Sequence, residues 1–539
     1  MKQWLNSLRD RRLVTCALLP SAFFALMTVL GGDLRANGAL QQPFWQAALL
    51  FVLWTALYGA AMSMLFALVN RASAGERKAE GWFGRVTGSF IFAFVLLILC
   101  WIPAWLAFWP GSFSPDSITQ FYAYYNQDHS SHHPLLHTLL LGFCMMLGID
   151  NHPDAYATGG LALYCGIQLV LTAGCAAYGI SWLKRRGAPV WARIAVLLLL
   201  TLNPFYAPWG FYAQKDVLFG ALVLVFCLQL ADLWRFGWNP LRLISFAVIA
   251  VLMMLFRNNG IYALALLLPF AVWWAKGRRI RMTALLAGCM ALYVAVNAGL
   301  MYVLYASEGS KVEILSIPLQ QIARTLREDP SARELDEDGV LDTLFGEEDI
   351  PGLYDEQIAD PLKWSVDYDL LDENIPALLN LWARMGIRHF DTYVEAFLAQ
   401  NLPYLLPCSD MRQSFDFGVQ QIDWFPIEET SYLPGLRAAY EEYEHSLSFA
   451  GIPGTRLLCH PAFYAWLALA GFAFACWRRR YSMMTAFGFL IAVWFTCLLG
   501  PVAIMRYMLG LYYAVPVLLA ALWIPRSWPQ TRKAASAGK

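Results

Sequence analysis

The chain has 539 residues, of which 58% are hydrophobic and 14% charged, and its 39 Lys+Arg balance 39 Asp+Glu. It carries run after run of about 20 apolar residues, each enough to cross a hydrocarbon core of roughly 30 Å. This excludes a soluble globular protein, and a backbone with its polar groups paired can make those crossings only as helices.

The zero net charge hides a split. Residues 307–460 hold 29 of the 39 acids but only 10 of the 39 Lys+Arg, so an acidic, soluble-looking segment interrupts a basic membrane body. In chain order, twelve spans are expected at 13–31, 44–69, 88–109, 155–182, 189–206, 217–235, 242–256, 261–275, 282–305, 461–477, 483–500 and 507–524. The first resembles a signal peptide, but its apolar stretch is long and no small-x-small cleavage site follows it.

With Met1 on the cytoplasmic side, the short inner loops collect the basic residues. These are Arg9, Arg11 and Arg12; Arg71, Arg77, Lys78 and Arg85; Lys184, Arg185 and Arg186; Arg235 and Arg242; Lys276, Arg278, Arg279 and Arg281; Arg478, Arg479 and Arg480; and Arg526, Arg532 and Lys533. Apart from the acidic segment, only Arg35, Lys215, Arg257 and Arg506 then face outward. Short loops rich in Lys and Arg stay inside, so both termini are expected in the cytoplasm and 307–460 outside it, in a bacterial cytoplasmic membrane. The partners expected on this basis include membrane lipids and no nucleic acid.

The parity of spans depends on 134–149, PLLHTLLLGFCMMLGI. A run this short is read as a helix lying along the outer interface, because counting it as a span would place Lys184, Arg185 and Arg186 outside. The organisation that follows is 1–87, two N-terminal spans; 88–306, a transmembrane core with an outer loop at 110–154; 307–460, a mainly helical extracytoplasmic domain; and 461–539, the last spans and a short basic tail. Within the outer domain, helices are expected at 315–328, 375–400 and 434–449, with loops at its Pro and Gly clusters. Cys408 and Cys459 both fall there, in a compartment that permits a disulfide. No internal repeat is present, which weakens a transporter built from duplicated halves.

The apolar run 242–275 is broken only by Arg257, Asn258, Asn259 and Gly260. As one helix it would be roughly 50 Å long, too long for one span, and split at the break each arm is only roughly 22 Å. The turn is therefore expected below the outer surface, in a cavity, where a bare Arg costs at least ~2.5 kcal/mol and calls for an anionic partner.

The loop after the third span reads PGSFSPDSITQ, with Asp116 near the start of a helix expected from about Ser117. One reading of Asp116 is a helix N-cap. The other is a carboxylate at the membrane mouth, placed as a general base for an acceptor hydroxyl. His129, His132, His133 and His137 follow closely, and their spacing fits no specific zinc pattern. Phosphate contact or interfacial polarity explains them better, and a divalent cation is left open. Lys215 and Asp216 open the sixth span and Arg506 opens the last. Each alone reads as an interfacial ion pair or a snorkelling side chain. Their joint scarcity on the outer side points instead to a vestibule for a phosphate or diphosphate.

These features resemble the GT-C superfamily of membrane glycosyltransferases: an Asp in an outer loop, helices along the outer surface, a many-helix body and an outward soluble domain. The stretches PGSFSPDSITQ, HHPLLHT, QKDVLF, FRNNG and LSIPLQQIAR, within 88–525, are also similar to a bacterial family of GT-C-like multi-pass proteins. The resemblance implies an all-α polytopic fold and an enzyme that moves a sugar from a polyprenyl-phosphate donor to an envelope glycan or lipid acceptor, with inversion. It implies Asp116 as the base or a metal-associated carboxylate. Gln120, His132, His133, Lys215, Asp216, Arg257, Asn258 and Arg506 would line the substrate site. Asp116 follows the third span rather than the first, which two extra N-terminal spans account for, and no Asp-x-Asp pair stands at it. A transporter or flippase of a lipid-linked intermediate is the alternative, using the same cations; a scaffold with a partner-binding outer domain is a third.

Overall fold

Asp10 starts the first helix. Its carboxylate accepts from the Arg12 and Leu13 backbone N–H groups at 3.0 and 3.3 Å, and the Arg11–Asn37 helix ends where Gly38 turns left-handed. The computed structural model describes residues 10–73, 80–149, 156–236, 238–411, 417–422, 424–447 and 449–524. Arg9, Arg77, Lys78, Phe415 and the basic tail from Arg526 lie outside the described residues. Among the described residues every regular element is a helix, and extended backbone meets only in isolated bridges.

Among the described residues seven helices are long and apolar enough to cross a membrane: Arg11–Asn37, Phe44–Arg71, Phe90–Ala107, Thr158–Arg185, Lys215–Trp234, Lys276–Val303 and Met505–Leu522. The other expected spans appear as shorter apolar helices, Val190–Leu202, Pro240–Phe256, Asn259–Trp274, Pro461–Trp477 and Tyr481–Cys497. The Phe44–Ala72 helix turns Leu49, Val52, Leu53, Leu57, Leu65 and Leu68 outward, all exposed. A belt of exposed leucine is costly in water and comfortable in lipid. The chain is an all-α membrane protein.

Contacts between helix ends sort the bundle into two faces. At one end Arg12 donates to the Cys476 carbonyl, Trp477 to Asp10, Lys184 to the Arg85 carbonyl and Arg480 to the Leu522 carbonyl. A Glu80–Arg193 ion pair lies at the same end. At the other end Arg35 pairs with Asp410, Tyr404 donates to the Ile504 carbonyl and Ser307 donates its N–H to the His129 carbonyl. The basic short loops thus gather at one end, and the acidic segment sits on the other.

The Leu135–Leu147 helix stays at the acidic end. His137 meets Tyr164 at one end of the helix, and the backbone at Gly148 abuts Gly159 and Gly160 at the other. From His137 to Gly148 the chain climbs about 16 Å, whereas from Tyr164 back to Gly160 the Thr158–Arg185 helix covers only about 6 Å. The short helix therefore crosses the long one steeply.

Two hydrophobic cores form among the described residues. One runs through the bundle; the second draws on Val312 to Tyr393. The acidic segment divides between them, because Leu398, Tyr404, Ile422, Tyr440 and Tyr443 belong to the bundle core. The longer helices there are Ser316–Glu328, Tyr368–Arg388, Phe390–Leu405 and Pro434–Ser446. Cys408 and Cys459 are both free thiols, and the Cys459 sulfur faces the Arg456 and Leu447 carbonyls.

Candidate functional site

Four helix termini meet at the acidic end of the bundle. The Pro115–Tyr125 helix starts with Pro115, and Ser114 takes the N-cap position. Asp116 is thus the second residue of the helix and not its N-cap, as Pro preorganises the first turn two residues earlier than expected. Its carboxylate leaves the helix end for two cations from other helices.

The chain on either side of Asp116 is pinned to the segment before Lys215. Ser112 donates its N–H to the Phe211 carbonyl at 2.9 Å, and Ala213 returns an N–H to the Ser112 carbonyl at 3.0 Å. Gln214 donates to the Ser114 hydroxyl, and the Ser117 hydroxyl donates to the Ala213 carbonyl. On the far side, Phe113 donates to the Gly418 carbonyl and accepts from the Gln420 N–H, each at 2.9 Å. These bonds fix the two loops in register, so Asp116 and Lys215 face each other.

Lys215 Nζ lies 2.8 Å from Asp116 Oδ2, and Arg506 Nη2 lies 3.2 Å from the same oxygen. Arg506 Nε is 3.7 Å from Asp216 Oδ2, and Arg257 Nη1 donates to Asp216 Oδ1. The side chains alternate in sign: Lys215, Asp116, Arg506, Asp216, Arg257. Three cations and two carboxylates leave a net charge of +1. The guanidinium carbons of Arg257 and Arg506 lie 4.1 and 5.4 Å from the centre of the Tyr507 ring, whose π-face attracts both.

Burial is graded along the relay. The Asp216 side chain is 0% exposed, whereas that of Asp116 is 27% exposed. Arg257 is buried in the break between Pro240–Phe256 and Asn259–Trp274. Its anionic partner, demanded by its depth in an apolar run, is Asp216. Burial raises the Asp116 pKa, but the charges of Lys215 and Arg506 outweigh it and hold the carboxyl well below its usual range.

His133 lies 3.1 Å from Lys215 through Nδ1. An ammonium has only hydrogens to offer, so Nδ1 accepts and the neutral ring carries its proton on Nε2. Burial and the Lys215 charge push the His133 pKa well below the ordinary histidine value. His132 is exposed beside it, ring centres 4.7 Å apart, away from the relay.

Gln120 and Asn258 point elsewhere. Gln120 is fully buried; its amide donates to Thr138 at 3.0 Å, and its carbonyl oxygen lies 3.1 Å from His137 Nδ1. It knits the Pro115–Tyr125 and Leu135–Leu147 helices together. Asn258 accepts from the Tyr293 hydroxyl at 3.0 Å and reaches the Ser131 carbonyl at 3.5 Å, tying down the loop before His133. Arg35, the fourth outward cation, pairs with Asp410 away from this group. Sequence reasoning passed over Tyr507, whose position next to Arg506 was the available signal. It also passed over Gln214 and Ser114, whose pairing is visible only once the chain is folded. Among the described residues no three of His, Cys, Asp and Glu are grouped to hold a metal ion.

The fold and the relay define an all-α membrane protein with a graded chain of ion pairs at one end of its helix bundle. The chain belongs to DUF6020, a family of unknown function, whose model matches residues 126–536. That stretch takes in Lys215, Asp216, Arg257 and Arg506 and begins just after Asp116. No significant match to a curated protein or to a solved structure was found.

Proposed function

We propose that the chain is a GT-C-like glycosyltransferase of twelve spans, working on the outer face of a bacterial cytoplasmic membrane. Its donor is a polyprenyl-phosphate-linked sugar and its acceptor an envelope glycan or lipid. The observation that carries this reading is the convergence of Asp116 with Lys215 and Arg506, backed by Arg257, at the end of the bundle that bears the acidic segment. Scarce cations at separate helix ends meet one partly exposed carboxylate there.

In the reaction, the acceptor hydroxyl oxygen attacks the anomeric carbon. The bond from that carbon to the phosphate oxygen breaks, and its electron pair leaves with the carrier phosphate. The hydroxyl proton passes to a carboxylate oxygen of Asp116. The phosphate goes from one negative charge to two as it departs, and Lys215 and Arg506 stabilise the charge that develops. Attack from the face opposite the phosphate inverts the anomeric centre.

The test is sugar transfer by purified protein in lipid, with labelled polyprenyl-phosphate sugars and envelope acceptors, alongside Asp116→Asn. Transfer that depends on Asp116 supports the reading. A chain that moves lipid-linked sugar across vesicles without forming a new glycosidic bond is a transporter instead.

A further inference from the structure

Asp116 makes two ion pairs, with Lys215 and Arg506, and both use the same oxygen, Oδ2. Arg506 offers a planar fork of donors but gives Asp116 a single contact, and its buried Nε has no hydrogen-bond partner. The half of the relay nearest Asp116 is partly open, while Asp216 and Arg257 behind it are closed. A carboxylate on the first turn of a short helix swings by side-chain rotation alone. Asp216, fully buried between two guanidiniums, has no comparable freedom.

We propose that Lys215 and Arg506 form a binding site for the oxyanion of a phosphate ester, and that Asp116 fills this site when no ligand is present. This deepens the glycosyltransferase reading and rests on it for the origin of the phosphate, though not for the displacement. With Asp116 turned away, Lys215, Arg506 and Arg257 against Asp216 leave +2 around the pocket. That charge matches the departing dianion of a phosphate monoester better than the monoanion of a sugar phosphodiester. Tetrahedral oxygens also satisfy the Arg506 fork and the Lys215 point charge together, which one carboxylate oxygen does not. The same exchange frees Asp116 from the two cations that depress its basicity, so phosphate arrival makes the base competent.

The experiment measures binding by the full-length protein in nanodiscs, with two probes: inorganic phosphate and a polyprenyl monophosphate. Asp116→Asn and Asp116→Ala should each bind at least about tenfold more tightly than the unaltered chain, because a competitor for the site has been removed. Arg506→Gln should lose binding. Tightening for both probes assigns the site to the phosphate group alone; tightening for the lipid only means that the chain also holds the polyprenyl tail. As a check free of substitutions, phosphate should increase carbodiimide labelling of Asp116 in the unaltered protein. Unchanged affinity in both Asp116 variants, or labelling that phosphate suppresses, overturns the proposal. Neither measurement needs sugar transfer, so a chain that shows the displacement but makes no glycosidic bond would refute the enzyme reading alone.

Discussion

Asp216→Asn isolates the charge that holds the two arginines. Asp216 is 0% exposed and is the ion-pair partner of the buried Arg257 side chain, with Arg506 3.7 Å away on its other oxygen. The amide is nearly the same size, so packing is kept and one buried negative charge is lost. Breaking a buried pair by removing one partner costs about 3–5 kcal/mol, since the remaining charge stays desolvated. In a chain this large each kcal/mol moves the melting midpoint by about 1–2 °C, extrapolating the size trend, so a drop of about 3–10 °C is expected. Differential scanning fluorimetry in one detergent at one scan rate reads it. Asp410→Asn is the control: its pairs with Arg35 and Arg456 are exposed, with Asp410 at 62%, Arg35 at 46% and Arg456 at 41%, and their loss should cost no more than about 1 kcal/mol each. An Asp216→Asn protein that melts with the unaltered chain would refute the view that Asp216 neutralises a desolvated Arg257.

Acid should destabilise the protein through its histidines. Burial lowers the pKa of His129, His133, His137 and His460, to about 3 for His137 and about 4 for His460, from an ordinary 6.5. The unfolded chain gains protons below pH 6.5 that the folded chain refuses, so stability is full above that pH and falls by up to about 1.4 kcal/mol per unit for each histidine below it. Melting midpoints between pH 7.5 and 4.5 should decline, and His137→Gln should flatten the decline; Asp116, with its lowered pKa, adds to the loss only below its usual value of 3.8. Gly160→Val should destabilise by about 1–3 kcal/mol, because a Cβ there meets the Met145 backbone at 2.5 Å; equal melting would contradict the steep crossing. With impermeant maleimide on intact cells, Gln127→Cys and Asp338→Cys should label and Arg278→Cys should not; the reverse pattern would invert the proposed orientation.

The helices were legible because lipid permits little else, and the special charges were legible because lipid makes them rare. Lys215, Arg257 and Arg506 stood out as cations where a membrane protein avoids them, and the fold brings all three to Asp116 and Asp216. The pairing itself was not legible. Asp216 follows Lys215 in sequence, yet the structure turns Lys215 to Asp116 and gives Asp216 to the arginines, a division set by burial depth across helices far apart in the chain. Gln120 and Asn258 carry the polar side chains of a substrate site but spend them on helix–helix and loop contacts. The acidic segment looked like one domain because its charge is continuous, whereas its core divides after Tyr393, where the Phe390–Leu405 helix enters the bundle.

The most direct test of the central claim is the transfer of labelled sugar from a polyprenyl-phosphate donor by the purified protein, compared with Asp116→Asn at matched folding and lipid composition. The account predicts a new glycosidic product from the unaltered chain, and loss of that product in the variant while phosphate binding is retained or tightened. Full transfer by Asp116→Asn would contradict the account, because the carboxylate held by Lys215 and Arg506 would then take no proton from the acceptor.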